Sequence, residues 1–129
     1  MNRIDRNKLN TIILNAAIEV HHILGPGLPV SLYKACFLKE LSIKEIMFRL
    51  DVPFSIKYKG SEFRNSLKID ILVNDEVIIK IIAEDSSQQH IHIGYLKTAL
   101  KFTENKTAIL INFNFEKIID GFKRITKEL

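Results

Sequence analysis

The segment that most constrains the fold is residues 66–83, where two apolar runs are separated by the polar residues 74–76. Both runs are rich in isoleucine and valine, which favour strands, and the polar interruption is short enough for a β-hairpin. A three-residue loop at 74–76 places Asp70 directly opposite Lys80, whereas a two-residue loop would break this pairing. One face of the hairpin is then wholly apolar, so other parts of the chain must cover it.

The spacing of apolar residues elsewhere predicts helices and strands on either side of this hairpin. In chain order, the predicted elements are a helix at 7–24, a helix at about 30–44, a strand at 46–60 that is bent or bulged at Pro53, the hairpin strands at 66–73 and 77–83, a helix at about 89–102, a strand at 107–113 and a final helix at about 115–127. This order, α-α-β-β-β-α-β-α, predicts one α/β domain over residues 1–129, in which helices flank a mixed central sheet.

Composition excludes several classes of protein. A chain of 129 residues that is 47% hydrophobic and 26% charged indicates one folded domain and excludes a disordered chain. The single cysteine, Cys36, excludes a disulfide framework and a thiolate zinc cluster. The charged N-terminus and the absence of a long apolar run favour a cytoplasmic protein without a membrane span. The net charge of +4 is compatible with a polyanionic partner but does not require one.

Several segments together resemble the bacterial GxxExxY family, a branch of the PD-(D/E)XK nuclease-like superfamily. They are AIEVHHILGPGL (17–28), Tyr33, VPFSIKYKG (52–60), LKIDILVNDEVII (67–79), YLK (95–97), LINFN (110–114) and DGFKR (120–124). The resemblance covers nearly the whole chain and implies an α-β-β-β-α-β core, which agrees with the element order above. It also implies phosphodiester hydrolysis with Mg²⁺ or Mn²⁺, which carboxylates would hold beside an assisting lysine.

The residues that such chemistry needs are mostly replaced in this chain. In the family pattern, an aspartate at the end of the second strand is followed ten residues on by a glutamate and twelve on by a lysine; counting from Asp70, these positions hold Lys80 and Ile82. The glutamate of GxxExxY falls on Val30. Asp70 stays, with Glu19 on the first helix as a possible second carboxylate. One carboxylate that faces an ammonium group is a poor site for a divalent cation, so we expect no bound metal or other cofactor.

The pair Asp70 and Lys80 therefore has two interpretations. The simpler one is a structural ion pair between neighbouring strands. The sharper one is that the Lys80 ammonium replaces the bound cation of an ancestral site and keeps that relic site folded.

Other polar clusters could also carry chemistry. Glu84 and Asp85 could supply displaced carboxylates, although a polar loop whose Asp or Ser caps the next helix explains them more simply. The histidines at positions 21, 22, 90 and 92 invite a zinc hypothesis, against which surface placement is the simpler interpretation.

Four basic residues on or beside the first hairpin could contact a phosphate backbone. They are Lys57, Lys59, Arg64 and Lys68. Exposed strand edges commonly carry lysine because it prevents aggregation, which is the competing explanation.

We favour a catalytically inactive nuclease-like protein that acts as a binding or interaction module, with nucleic acid, a protein partner or a second copy of itself as the partner. One alternative is a metal-dependent nuclease with an atypical site built from Asp70, Glu19 and Glu84. A second alternative is a structural subunit of another assembly. Fold alone does not choose among these functions, because function depends on the site.

Overall fold

In the computed structural model, which describes residues 5–128, the chain is organised around one five-stranded sheet. The helices are α1 (Arg6–Leu24), α2 (Val30–Ile43) and α3 (Gln89–Phe102), and the strands are β1 (Phe48–Tyr58), β2 (Ser61–Val73), β3 (Val77–Ile82), β4 (Thr107–Asn112) and β5 (Phe122–Thr126). The strand order is β1-β2-β3-β4-β5, with β3 and β4 parallel and the other neighbours antiparallel. The predicted fold class, a mixed sheet flanked by helices, is confirmed. No helix within residues 5–128 is both long and apolar enough to cross a membrane.

Alternation along the central strands divides the core into two layers. Ile79 and Ile109 lie in the cluster that α1 and α2 cover, whereas their neighbours Ile78 and Ala108 lie in the cluster that α3 covers. All six residues of β4 are buried, as expected for a strand of a parallel pair with helices on both faces. Polar residues interrupt the apolar cluster on the α3 side of the sheet, so this side is the candidate position of a functional site.

The turn between β2 and β3 has the length that the sequence predicts. Val73 pairs with Val77, which leaves three residues in the loop. Asn74 and Asp75 both adopt positive φ angles, of 53° and 54°. Asn and Asp tolerate this left-handed conformation better than other residues with side chains, so the local sequence fixes the register of the hairpin.

The predicted helix at about 115–127 is wrong. These residues form a short 3₁₀ turn, Ile118–Gly121, and then β5, which pairs antiparallel with β4. Phe122 and Ile125, which would share a face of a helix, pack against opposite clusters of the core. A side chain on Gly121 would overlap the carbonyl oxygen of Asn112, so glycine permits this close approach. Pairing of β5 with β4 outweighs the helical spacing, because β4 is wholly buried and unpaired backbone groups in a buried strand are costly.

The hairpin of β1 and β2 extends well beyond the rest of the sheet. Strand β2 begins at Ser61, earlier than the predicted start at residue 66, and its pairing with β3 covers Ile71–Val73 alone. The predicted irregularity near Pro53 is present as a register shift between Phe54 and Ile56. We call residues 56–66 the hairpin tip.

Candidate functional site

The site begins where the ladder between β2 and β3 ends. The last backbone pair is Ile71 with Ile79, and the next residues, Asp70 and Lys80, meet through their side chains. Lys80 Nζ donates to Asp70 Oδ2 over 3.1 Å. The predicted opposition of these two residues is thus confirmed. We call this place, with Lys68, Asp70 and Lys80, the fork.

Tyr95 of α3 contacts the fork residues Lys68 and Lys80. Its hydroxyl accepts from the Lys68 N–H over 3.2 Å and donates to the Lys68 carbonyl over 2.8 Å. It therefore satisfies the backbone of β2 at a residue that β3 does not pair. The Lys80 ammonium lies 5.7 Å from the centroid of the Tyr95 ring, within the range of a cation–π contact. The ring of Phe54 meets the same tyrosine edge-on, with centroids 6.4 Å apart.

This arrangement also explains why a proline is tolerated within β1. Pro53 pairs with Lys68 across the ladder. Because the N–H and carbonyl of Lys68 are both bonded to Tyr95, the missing N–H of Pro53 leaves no ladder hydrogen bond unmade.

The charges around the fork balance one another. Asp51 of β1 lies across from Asp70 in the register of β1 and β2, and its carboxylate is 3.5 Å from Lys68 Nζ. Two carboxylates and two ammonium groups thus form two ion pairs. The Asp70–Lys80 pair is the better shielded, with side-chain exposures of 32% and 25% against 58% and 62% for Asp51 and Lys68. Shielding from water strengthens the attraction and also the penalty for removing one partner.

The structure does not bring Glu19 to the fork. Glu19 is exposed on α1, which packs against the opposite face of the sheet from α3. Ile82, at the position of the family lysine, is 4% exposed within the α3-side cluster. Of the predicted carboxylates Asp70 and Glu19, Asp70 is therefore the one that lies in the fork.

Glu84 follows β3 and forms a different contact. Its Oε1 lies 2.6 Å from His92 Nε2, one turn before Tyr95 on α3. This pair was not predicted, because Glu84 and the histidines carry separate signals in the sequence. The predicted cap forms one turn earlier than expected: Asp85 accepts from the Ser87 N–H over 2.7 Å and caps the 3₁₀ turn Ser86–Gln88, whereas α3 itself begins without a side-chain cap. This hydrogen bond lowers the pKa of Asp85 below its ordinary value of 3.8.

Asn112, at the end of β4, holds this edge of the sheet together and was also missed. It is fully buried, and its amide group donates to the Glu84 carbonyl and to Gln89 Oε1 over 2.9 and 3.2 Å. Its Oδ1 accepts from the N–H groups of Glu84 and Asn114. The sequence signal that could have identified it is an asparagine at the end of an otherwise apolar strand, since a polar side chain at such a position is expected to be buried and hydrogen-bonded.

The residues that the structure assembles do not fit a divalent cation. Within residues 5–128, no group of three His, Cys, Asp or Glu side chains is placed to hold a metal ion. In the fork, the Lys80 ammonium lies 3.1 Å from Asp70 Oδ2, so its positive charge disfavours a cation beside this carboxylate. His21, one of the histidines of the zinc hypothesis, instead places Nε2 2.7 Å from the Phe115 carbonyl oxygen.

The four basic residues predicted to bind nucleic acid do not form one patch. Lys57, Lys59 and Arg64 lie on the hairpin tip, where all three are exposed. Lys68 lies in the fork and pairs with Asp51. A phosphate-binding role therefore fits the three tip residues better than Lys68.

A comparison with protein families identifies the fold family on the basis of most of the chain. The model of the PD-(D/E)XK nuclease superfamily matches residues 7–125. The chain belongs to the PD-(D/E)XK nuclease superfamily. Searches of curated proteins and of solved structures gave no match. Asp70 keeps the residue that the resemblance implies, whereas Lys80 and the buried Ile82 depart from the glutamate and lysine that it implies at their positions.

Proposed function

We propose that this protein is a GxxExxY-type member of the superfamily that has lost metal-dependent cleavage and acts as a binding module. The observation that carries the proposal is the closed Asp70–Lys80 ion pair, with 3.1 Å between the charged atoms. Hydrolysis of a phosphodiester by a bound metal needs carboxylates that face an open position for the ion. Here the ammonium takes that position and repels a second cation.

Ile82 supports the same conclusion. A lysine at this position would point a charge at the scissile phosphate and assist the attacking water. Ile82 is instead packed into the α3-side cluster, where it contributes apolar contacts. The second carboxylate at the fork, Asp51, is paired with Lys68, and the lysine of the family pattern is absent, so no open metal site remains beside Asp70.

The test is a cleavage assay on single-stranded and plasmid DNA with Mg²⁺ or Mn²⁺. We expect no cleavage by the protein as it exists. Cleavage that Asp70→Ala abolishes, and that the matched variant Asp51→Ala retains, would contradict the proposal and favour the atypical nuclease site. Cleavage that persists unchanged in Asp70→Ala would be independent of the fork and would leave the loss of the ancestral site supported.

A further inference from the structure

The hairpin tip presents two aromatic side chains to solvent. Tyr58 is 61% exposed and Phe63 is 49% exposed, although residues of this type are usually covered. Phe63 pairs with Ile56, and Ile56 and Tyr58 are two residues apart on β1. The two rings therefore lie on the same face of the hairpin as diagonal neighbours on adjacent strands.

We infer that this aromatic face of the hairpin tip binds single-stranded nucleic acid, with Tyr58 and Phe63 stacking on bases and Lys59, which lies beside Tyr58, contacting a phosphate. The inference rests on the proposed binding role and names the surface and the ligand. It does not depend on the chemistry of the fork.

The charge of the tip is complementary to a phosphate backbone. Between residues 56 and 66 the chain has three basic residues, Lys57, Lys59 and Arg64, against one acidic residue, Glu62. Glu62 lies 3.9 Å from Arg64, and both side chains extend into solvent, so this ion pair is weak. Excess positive charge beside exposed aromatic rings is the combination that binds nucleic acid strands without base-edge readout.

One lysine lies directly beside the aromatic surface. Lys59 Nζ is 5.6 Å from the centroid of the Tyr58 ring. A cation–π contact at an exposed site is weak, so an incoming phosphate can draw the ammonium from the ring and leave the ring face to a base. One nucleotide can thereby engage both residues.

The base of the tip is anchored to the α3-side cluster through Ile56, which lies on the same face of the hairpin as the two rings. Ser55, Lys57 and Glu62 line a cavity together with residues Lys101 and Phe102 at the C-terminal end of that helix. Ser55 Oγ also accepts from the Asn65 N–H over 2.9 Å, which fixes the irregularity at the base of the tip. The rings are consequently presented on a hairpin whose base is packed against the core.

A single strand fits this surface better than a duplex. In a duplex the faces of the bases are covered by their neighbours in the stack, whereas a single strand offers them to aromatic side chains. Stabilisation of the hairpin by a cross-strand aromatic pair does not account for the surface, because about half of each ring residue stays in contact with solvent.

The first experiment measures the affinity of the full chain for fluorescein-labelled oligo-dT of roughly 15 nucleotides by fluorescence anisotropy. We expect binding that weakens with salt, with a slope of about −0.7 in log K against log salt for each phosphate contact. The double variant Tyr58→Ala/Phe63→Ala should weaken binding on the order of tenfold per ring lost, since each stacked base contributes that much. Tyr58→Phe, which keeps the ring, and Lys39→Ala on α2, which removes a distant exposed charge, should bind like the parent.

The second experiment does not depend on removing a ring. The chain contains no tryptophan, so Tyr58→Trp introduces a single fluorophore on the aromatic face. Oligo-dT should quench its emission. The matched variant Ile23→Trp, at a position 67% exposed on α1, should not be quenched.

Three outcomes would overturn the inference. They are the absence of binding to oligo-dT, equal binding to a duplex with no effect of the ring substitutions, and a change in elution volume on ring substitution without a change in binding. The last outcome would assign the rings to self-association. None of them requires cleavage activity, so failure here is distinguishable from failure of the proposed function in the cleavage assay.

Discussion

The fork and the hairpin tip both carry charged and aromatic residues, yet their environments are opposite. In the fork, the Lys80 ammonium is held by Asp70, and the Tyr95 hydroxyl is held by the backbone of Lys68. At the tip, the aromatic rings and the basic side chains are exposed, and the nearest acidic partner, Glu62, is 3.9 Å from Arg64. The fork satisfies its polar groups internally, whereas the tip leaves them available to a ligand.

This difference distinguishes a region that stabilises the fold from a region that is open to a ligand. A closed network of ion pairs and hydrogen bonds stabilises the fold, and its polar groups are then not available to a ligand. An exposed cluster of rings and positive charges contributes little to stability and is free to bind. Under the proposed function, the ancestral catalytic position has become structural, and the exposed rings and charges lie on an extension of the sheet.

Removing Asn112 should have the largest effect on stability. Asn112→Ala leaves the Glu84 carbonyl and N–H and the Gln89 side chain without their partner in a buried setting, so we expect a loss of about 3 kcal/mol in the free energy of unfolding. Urea denaturation measures it. Asn105→Ala is the matched control, because its amide also donates to two carbonyls but in a more exposed place, and it should lose about 1 kcal/mol. Equal losses would show that the buried hydrogen bonds of Asn112 do not hold this edge of the sheet together.

Lys80→Met should have the next largest effect. It preserves much of the length of the side chain but leaves Asp70 as a partly shielded charge without its partner, so we expect a loss of about 1–2 kcal/mol. The same urea titration applied to Lys68→Met, whose ion pair with Asp51 is more exposed, should show less than about 0.5 kcal/mol. If both variants lose the same amount, the Asp70–Lys80 pair is an ordinary surface contact.

Tyr95→Phe should have a smaller effect. It removes the hydroxyl that bonds twice to Lys68 while the ring beside Lys80 and Phe54 stays in place. Water can reach the exposed backbone of Lys68, so we expect a loss of about 1 kcal/mol. The tip variant Tyr58→Phe removes an exposed hydroxyl and should change stability by less than about 0.5 kcal/mol. Amide exchange at Lys68 should rise in Tyr95→Phe alone, and an unchanged rate would argue against the role of the hydroxyl.

The sequence was sufficient for the fold class and for the opposition of Asp70 and Lys80. The alternation of apolar and polar residues in the hairpin, and the turn-forming residues 74–76, are local features, so they predict the pairing without knowledge of the rest of the chain. The contact of Tyr95 with Lys68 depends on where α3 lies across the sheet, which local patterns do not specify. The final helix was mispredicted for a related reason, since pairing with β4 overrides the helical spacing of residues 115–127.

The same limit applies to the candidate site. Glu19 was considered with Asp70 because both are acidic, but periodicity alone does not say that α1 covers the opposite face of the sheet from the fork. The exposure of Tyr58 and Phe63 could not be predicted from the sequence either, because alternating apolar residues in a strand normally predict burial. The functional roles of Asp70, Lys80, Lys57, Lys59 and Arg64 stay predictions.

The most direct test of the central claim is Mn²⁺ binding to the parent protein and to Lys80→Glu, measured from the free Mn²⁺ signal by electron paramagnetic resonance. Lys80→Glu places a carboxylate opposite Asp70, so we expect it to bind Mn²⁺ at least tenfold more tightly than the parent and to be stabilised by the ion. Lys39→Glu on α2 is the control for the same change in net charge. Tight Mn²⁺ binding by the parent, or equal binding by the two variants, would contradict the claim that the Lys80 ammonium has closed the ancestral metal site.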